Sequence, residues 1–176
     1  LDFYEAAQPP LYTPRQAPTL DGYNDYLALN EPSLVNQPHT VEFWFADTPD
    51  QWQHLAIVDG ANGEPQFFLN GDLVAAPSPD LIAKRDAYRM NISATDRPAR
   101  DAAGQLAVTA GPVTDLRLWR TVRTQDEIQA HYQRHLTGRE EDLWAYWPVA
   151  MGPGDRLPEA TENHRPATLI GGLENT

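Results

Sequence analysis

The stretch HTVEFWFADTPDQWQHLAIVDGANGEPQFFLNGDLV, residues 39–74, decides the fold, because it contains three strand patterns separated by turn signals. In the first pattern Val41, Phe43 and Phe45 fall on one face, as the two-residue side-chain period of a strand requires. The second pattern, residues 52–58, is a further apolar run that ends at an aspartate–glycine pair. These patterns predict neighbouring strands joined by short connections.

The third pattern contains the clearest local signal of the chain, the dipeptide Asn70–Gly71. Both central positions of a type I′ turn require positive φ, and the pair asparagine–glycine is strongly preferred there. Because strand-forming residues flank the dipeptide on both sides, the sequence predicts a two-residue β-hairpin centred on it.

Other short alternating runs are spread along the rest of the chain. The strands predicted outside the opening stretch cover residues 26–29, 105–111, 114–120, 142–149 and 167–172. About seven to nine short strands with turns between them are typical of an all-β protein. We therefore predict a two-sheet antiparallel β-sandwich whose inner faces are filled by large aromatic side chains. The tryptophans assigned to this core are Trp44, Trp119 and Trp147.

One segment changes to the helical period, and we predict one short helix over residues 125–137. Thr124 and Glu127 form a capping-box pattern, in which each side chain satisfies a backbone N–H at the start of the helix. The apolar stripe of this helix consists of Ile128, Tyr132 and Leu136. Gly138 is placed to end the helix.

Residues 77–104 are less regular and contain one weaker helix signal. Ser78 can cap a short helix whose first residue is Pro79, a position where proline is favoured. Upstream, residues 1–18 hold four prolines, which is typical of an extended leading segment or linker. We therefore predict a single domain over residues 19–176.

The charge balance disfavours two classes of partner. The chain has 13 basic and 25 acidic side chains, a net charge of −12 at pH 7. Nucleic acids and anionic membrane surfaces demand the opposite sign. No apolar run approaches the roughly 18 residues that a membrane span needs. We therefore expect no nucleic-acid partner and no membrane insertion. Cysteine is absent, which excludes disulfides and thiolate metal sites.

Seven motifs follow one another in a recognisable order. They are LDGYNDYLAL, TVEFWF, WQHLAIV, FFLNGDLV, VTDLRLWRTVRTQDEIQAHY, LTGREEDLWAYWPV and ATENHRPATLIGG. In this order they resemble the laminin-G-like jelly-roll domains of the concanavalin A-like lectin/glucanase superfamily. The resemblance implies a β-sandwich that binds glycans or proteins outside the cell, often with Ca²⁺, inside a longer multidomain polypeptide.

One departure from that family lies between Phe45 and Trp52, where only the residues ADTPDQ intervene. The family usually places several strands there. The equivalent of one β-hairpin is therefore missing from the sheet, or its place is taken by the N-terminal segment or by residues 77–104. We expect the concave face on which relatives often bind ligand to be reduced.

The turn DGYND is the candidate metal site, with Asp21, Asn24 and Asp25 as oxygen ligands. Hard cations such as Ca²⁺ prefer several oxygens from one loop, so calcium is the candidate cofactor. The alternative is that these residues only form a turn, because asparagine, aspartate and glycine are common in turns that bind nothing.

Aromatic side chains outside the strongest strand patterns are the candidates for stacking on sugar rings. This ligand-binding set is Tyr23, Trp52, Tyr88 and Trp144. His54, beside Trp52, is interpreted as a structural histidine rather than as a general base.

Catalytic carboxylates are not evident in the sequence. Retaining glycosidases need two carboxyl groups about 5–5.5 Å apart. The glucanase relatives carry them on a Glu-x-Asp-x-x-Glu strand, and this chain has no such strand. We interpret Glu42 and the run Glu140–Asp142 as surface and turn acids, and we predict no catalytic residue.

The sequence therefore predicts a non-catalytic extracellular module that recognises a glycan or a protein surface, with possible assistance from calcium, within a larger adhesin, toxin or surface protein. The alternative is a structural module that packs against neighbouring domains and binds no small ligand. A glycoside hydrolase is the least favoured interpretation.

Overall fold

In a computed structural model, the protein is described over residues 19–21, 26–28, 32–34, 36–46, 51–92, 110–148, 156–157, 159–164 and 167–170. The predicted leading segment, residues 1–18, lies outside these ranges, so the predicted domain division stays a prediction.

The main body is a seven-stranded antiparallel sheet. Its strands are β1 (Thr19–Asp21), β3 (His39–Ala46), β4 (Trp52–Asp59), β5 (Gln66–Leu69), β6 (Asp72–Leu73), β7 (Ala110–Trp119) and β8 (Leu143–Trp147). They run in the order β1–β7–β3–β4–β5–β6, and β8 also pairs with β7. Since β1 pairs with the beginning of β7 and β8 with its end, both lie along the edge of β7 that faces away from β3.

Three further short strands pair with one another. They are β2 (Tyr26–Ala28), β9 (Arg156–Leu157) and β10 (Ala167–Ile170), in the order β2–β10–β9. Both pairings are antiparallel. The described part of the chain is thus mainly β, as the sequence predicts.

The β5–β6 hairpin confirms the prediction at Asn70–Gly71. The φ angles of these residues are 51° and 84°. The Asn70 side chain also fixes the neighbouring strand, because its Oδ1 accepts the backbone N–H of His54 at 2.9 Å. Gly71 is further required by packing, since a Cβ atom there would lie 3.1 Å from the Tyr132 ring.

A β-bulge in β7 places its apolar residues on one face. Glu42 pairs with Arg117 and Trp44 with Thr114, so two residues of β7 oppose Phe43. Asp115, at the bulge, has a φ of 56°. The extra residue shifts the side-chain alternation, and Val113 therefore joins the face that carries Leu116 and Leu118.

One face of the main sheet carries the apolar core. Its strand residues include Val41, Phe43 and Phe45, as predicted, together with residues of β4, β5, β7 and β8. The helix α1 (Pro79–Ile92) contributes Leu81, and a 3₁₀ turn (Pro32–Leu34) contributes Leu34.

The start of α1 follows the sequence signal. The Leu81 N–H donates to the Ser78 hydroxyl at 3.3 Å, and Pro79 is the first helical residue. The structure therefore has a second helix beside the one predicted near residues 125–137, and the weaker helix signal at Ser78 is confirmed over 14 residues.

The predicted helix near residues 125–137 forms over a shorter range, α2 (Gln125–His131). The capping box of Thr124 and Glu127 is confirmed in both directions. The predicted end near Gly138 is wrong, because α2 ends at His131. There the Arg117 side chain of β7 donates to the carbonyl groups of His131 and Arg134, which a longer helix would use. Leu136 is still buried, but it lies beyond the end of the helix.

Candidate functional site

The other face of the main sheet carries a buried group of ionisable side chains, which we call the polar cluster. It consists of Glu42, His54, Asp115, Arg117 and Arg123. The helix α2 covers this face, with Ile128 packed against Ala56, Val58 and Phe68. The interpretation of Glu42 as a surface acid is therefore wrong, since its side chain is 0% exposed.

Glu42 is the centre of the polar cluster. Its Oε1 accepts from Arg123 Nη1 at 2.9 Å, and its Oε2 accepts from His54 Nε2 at 3.2 Å and from Arg117 Nη1 at 3.4 Å. Arg117 also forms an ion pair with Asp115. Two guanidinium groups thus face two carboxylates, and charge balance is what allows ions to be buried.

The polar cluster also fastens α2 to the sheet. Arg117 donates to the carbonyl oxygens of His131 at 2.9 Å and Arg134 at 2.7 Å. Arg123 Nη2 donates to the Glu127 carbonyl at 3.0 Å. A cation at the C-terminal end of a helix also interacts favourably with the helix dipole. These bonds satisfy carbonyls that a longer helix would use, and this explains why α2 ends early.

The surroundings fix the charge states of Glu42 and His54. Burial by itself raises the pKa of Glu42, but the hydrogen bond from His54 and the charges of Arg117 and Arg123 outweigh it and lower the pKa to about 2. Burial lowers the pKa of His54 below 6.5, and the Arg117 charge adds to this effect. The imidazole is therefore neutral at pH 7 and donates to the Glu42 carboxylate.

Open space for a ligand lies at one end of the main sheet, where β4 ends at Asp59 and β7 ends at Trp119. The large cavity there has a volume of about 840 Å³, and the small cavity beside it has about 480 Å³. Val122 lines both cavities, so they adjoin at this residue, which we call their common wall. The large cavity is otherwise lined by residues of the β4–β5 turn, the ends of β4 and β5, the segment 73–77 and α1.

Hydrogen bonds hold the segment on both sides of this wall. The Thr40 hydroxyl donates to the Thr121 carbonyl at 2.8 Å and accepts the Arg123 N–H at 3.0 Å. The Arg120 N–H donates to the Asp142 carbonyl at 3.0 Å. These bonds hold the backbone on both sides of Val122, the residue that the two cavities share.

The large cavity combines apolar and polar groups. Leu73, Ile82 and Val122, which are 50%, 43% and 45% exposed, all line it. Its polar lining side chains are Asn62, Glu64, Gln66 and Arg85. Arg85 is held in place by Asp59, with Nη2 and Oδ1 2.6 Å apart.

The small cavity is lined by Ser33, Leu34, Gln37, Pro38, Arg120, Thr121 and Val122. The exposed Arg120 guanidinium lies over the half-buried ring of Trp144, with Cζ 3.1 Å from the ring centroid. Such cation–π stacking restricts the long arginine side chain. Trp144 is thus the one member of the predicted ligand-binding set that the structure places beside a described cavity.

The described members of that set do not meet. Trp52 pairs with Ala46 at the far end of β4, whereas Trp144 follows Leu143, which pairs with Trp119 at the cavity end. A shared site for the two rings is therefore not formed. Tyr88 lies in α1, and Tyr23 lies outside the described residues. Ligand binding by these four stays a prediction.

The predicted metal ligands are Asp21 in β1 and two residues that follow it in the sequence. Asp21 pairs with Ala110 through its backbone, and Asn24 and Asp25 lie outside the described residues. Across the described ranges no group of three or more histidine and acidic side chains is arranged to hold a metal ion.

Sequence reasoning missed both cavities, because connecting segments distant in the chain build them together. The nearest available signal was the exposed apolar Val122 within a polar stretch, which has no place in a strand or helix pattern.

The arrangement of strands is similar to that of one solved protein, a candidate carbohydrate-binding protein from Bacteroides ovatus. The TM-score is 0.53 at 12% sequence identity, and the match covers 89% of this chain and 59% of that protein. This similarity shows a common fold, and the chain spans about three fifths of the length of its neighbour. No family model and no curated protein matches the sequence. None of the described helices is long and apolar enough to cross a bilayer.

Proposed function

We propose that the chain is a non-catalytic glycan-binding module, with the ligand held at the two adjoining cavities. The observation that carries this proposal is the pair of adjoining cavities that share Val122, whose backbone is held by hydrogen bonds on both sides. Neighbouring compartments suit neighbouring residues of an oligosaccharide. Residues with side-chain amides and hydroxyls line them, and these groups can both donate to and accept from sugar hydroxyls. The similarity to a candidate carbohydrate-binding protein supports the same class of ligand.

The proposal includes the finer fold. The strands β2, β9 and β10 would form a second layer over the apolar core, which makes the domain a two-sheet β-sandwich of the laminin-G-like jelly-roll kind. The ordered sequence motifs support this layer, as does the apolar face of the main sheet, which needs a cover.

A non-catalytic role is supported by the placement of the carboxylates. Glu42 is buried and ion-paired, so it cannot reach a glycosidic bond. Among the described residues that line the two cavities, Glu64 is the one carboxylate, and hydrolysis needs a pair. Glycan turnover by the purified chain would reverse this part of the proposal.

The setting of the module is proposed from the family resemblance and the acidic surface. We infer that it acts outside the cell, inside a larger adhesin, toxin or surface protein, and that Ca²⁺ bound near Asp21, Asn24 and Asp25 assists binding. A calcium titration followed by thermal unfolding tests the cation, because a ligand that binds only the folded state raises the melting temperature.

A glycan microarray probed with and without Ca²⁺ tests the function. The variant Val122→Trp places a large ring in the wall shared by both cavities and should abolish the signal. Ala130→Trp adds the same ring on the exposed face of α2 and should leave the signal unchanged. An array on which the unaltered chain binds nothing, with or without calcium, would remove the proposal.

The second candidate is a module that packs on a neighbouring domain, and one observation favours it. Leu73, Ile82 and Val122 are the exposed large apolar side chains of the described residues, and all of them line the large cavity. Exposed apolar residues gathered at one place are typical of protein contacts. Protection of these residues from hydroxyl-radical labelling in the longer natural polypeptide, without any glycan, would favour this candidate.

A further inference from the structure

The small cavity is lined by a cationic side chain, that of Arg120. Arg120 has no ion-pair partner among the described residues. By contrast, the described cations that pair with a carboxylate are Lys84, Arg85, Arg117 and Arg123. An exposed guanidinium without an internal partner is available to an anion from outside.

Arg120 is also held in a fixed position. Its backbone N–H is bonded to the Asp142 carbonyl at 3.0 Å, and its guanidinium lies 3.1 Å from the centroid of the Trp144 ring. A positioned guanidinium loses less side-chain entropy on binding than a mobile one. It presents parallel N–H groups that match the two oxygens of a carboxylate.

The groups around Arg120 indicate what else the ligand carries. Ser33 and Gln37 offer hydroxyl and amide groups, whereas Leu34 and Pro38 offer apolar surface. Alternating polar and apolar contacts fit a sugar ring, which has hydroxyl edges and C–H faces. Beyond Val122 the large cavity provides further amide groups for the next sugar.

We propose that the ligand is an acidic oligosaccharide, in which the carboxylate of a uronic acid residue binds Arg120 in the small cavity while the adjoining sugar occupies the large cavity. This inference rests on the proposed glycan-binding function and narrows its ligand class. With a net charge of −12, the protein repels anions at long range. Selection of an acidic sugar must therefore come from this local contact.

Titration calorimetry with three uronate polysaccharides tests the inference. The probes are polygalacturonate, alginate and hyaluronan, each compared with its carboxyl-reduced neutral form. At least one acidic form should bind at least tenfold more tightly than its neutral partner.

Arg120→Gln should remove this preference for the acidic form and leave the weaker binding of the neutral form in place. Arg120→Lys should retain part of the preference, because lysine keeps the positive charge but lacks the planar guanidinium group that pairs with both carboxylate oxygens.

Arg139→Gln is the matched control, because Arg139 is an exposed arginine that lines neither cavity. It should bind like the unaltered chain. Urea unfolding of each variant shows whether the fold is intact, and little change is expected because Arg120 is exposed.

Each remaining result has a definite meaning. Equal binding of acidic and neutral forms would overturn the inference and leave glycan binding intact. Absence of binding to all six polysaccharides would overturn the acidic ligand, and the glycan microarray then decides separately on the wider function. Binding of polyglutamate through Arg120, with no uronate bound, would assign the site to protein carboxylates and overturn the sugar class.

Discussion

Replacing Glu42 by glutamine should destabilise the protein far more than any comparable change at its surface. Glutamine keeps the shape of the side chain but removes the charge that faces Arg117 and Arg123 at 3.4 and 2.9 Å. The buried polar cluster would then hold two guanidinium groups against Asp115 alone. Removing one partner of a buried ion pair costs about 3–5 kcal/mol. We expect about 3 kcal/mol, because the amide oxygen still accepts one hydrogen bond.

Urea unfolding measures this loss. With a slope of about 2 kcal/mol per molar urea, a loss of 3 kcal/mol moves the midpoint down by about 1.5 M. Glu127→Gln is the matched control, since Glu127 is exposed and glutamine also completes a capping box. Its midpoint should move by less than about 0.5 M.

A double variant separates charge imbalance from lost packing. Glu42→Gln combined with Arg123→Met restores the balance of one cation and one anion in the polar cluster. It should be more stable than the sum of the two single changes predicts, by about 1 kcal/mol or more. Equal midpoints for Glu42→Gln and Glu127→Gln would refute the assignment of Glu42 as the charge that holds the cluster together.

Three further predictions follow from the structure. Stability should fall as the pH drops below about 6.5, because burial lowers the pKa of His54 and the unfolded chain takes up that proton first. It should fall by about 3 kcal/mol more between pH 4.5 and about 2, because the pKa of Glu42 is lowered in the folded state, and urea midpoints across pH measure both losses. Gly71→Ala should lower the melting temperature by at least about 2 °C, because its φ of 84° strains alanine and the new Cβ meets Tyr132. Gly63→Ala should have a smaller effect, because its φ of 80° gives similar strain but a Cβ atom there meets no atom within 4 Å. Thr124→Ala should cost about 1 kcal/mol in urea unfolding by removing the cap of α2, and Thr124→Ser should restore most of it.

The features that the sequence predicts correctly are those that depend on residues close together in the chain. The alternation of Val41, Phe43 and Phe45 specifies a core face, and the pair Asn70–Gly71 specifies a turn, because each depends on local backbone geometry. The capping box of Thr124 is local in the same sense, since its partner is three residues away.

The features that the sequence does not predict depend on distant partners. From the sequence alone Glu42 is interpreted as a surface acid, because its partners Arg117 and Arg123 lie 75 and 81 residues further along the chain. Only the fold brings these side chains together. The early end of α2 has the same origin, because Arg117 takes the carbonyl groups that a longer helix would need. The cavities around Val122 also require segments from several parts of the chain to meet.

Burial of the sheet agrees with a ligand site at the strand ends, where we propose it. All eight residues of β3 are buried, and so are six of the eight in β4, which means that both faces of the central strands are covered. A helix anchored by a charge-balanced cluster lies on one face and the apolar core on the other, so neither face is available to a ligand. Connecting segments at the ends of the strands remain, and there Thr40 holds the wall that carries Val122 and leaves Arg120 exposed beside Trp144. Recognition in this protein is therefore expected to depend on the loop residues at that end, and substitutions on the two faces should change stability before they change binding.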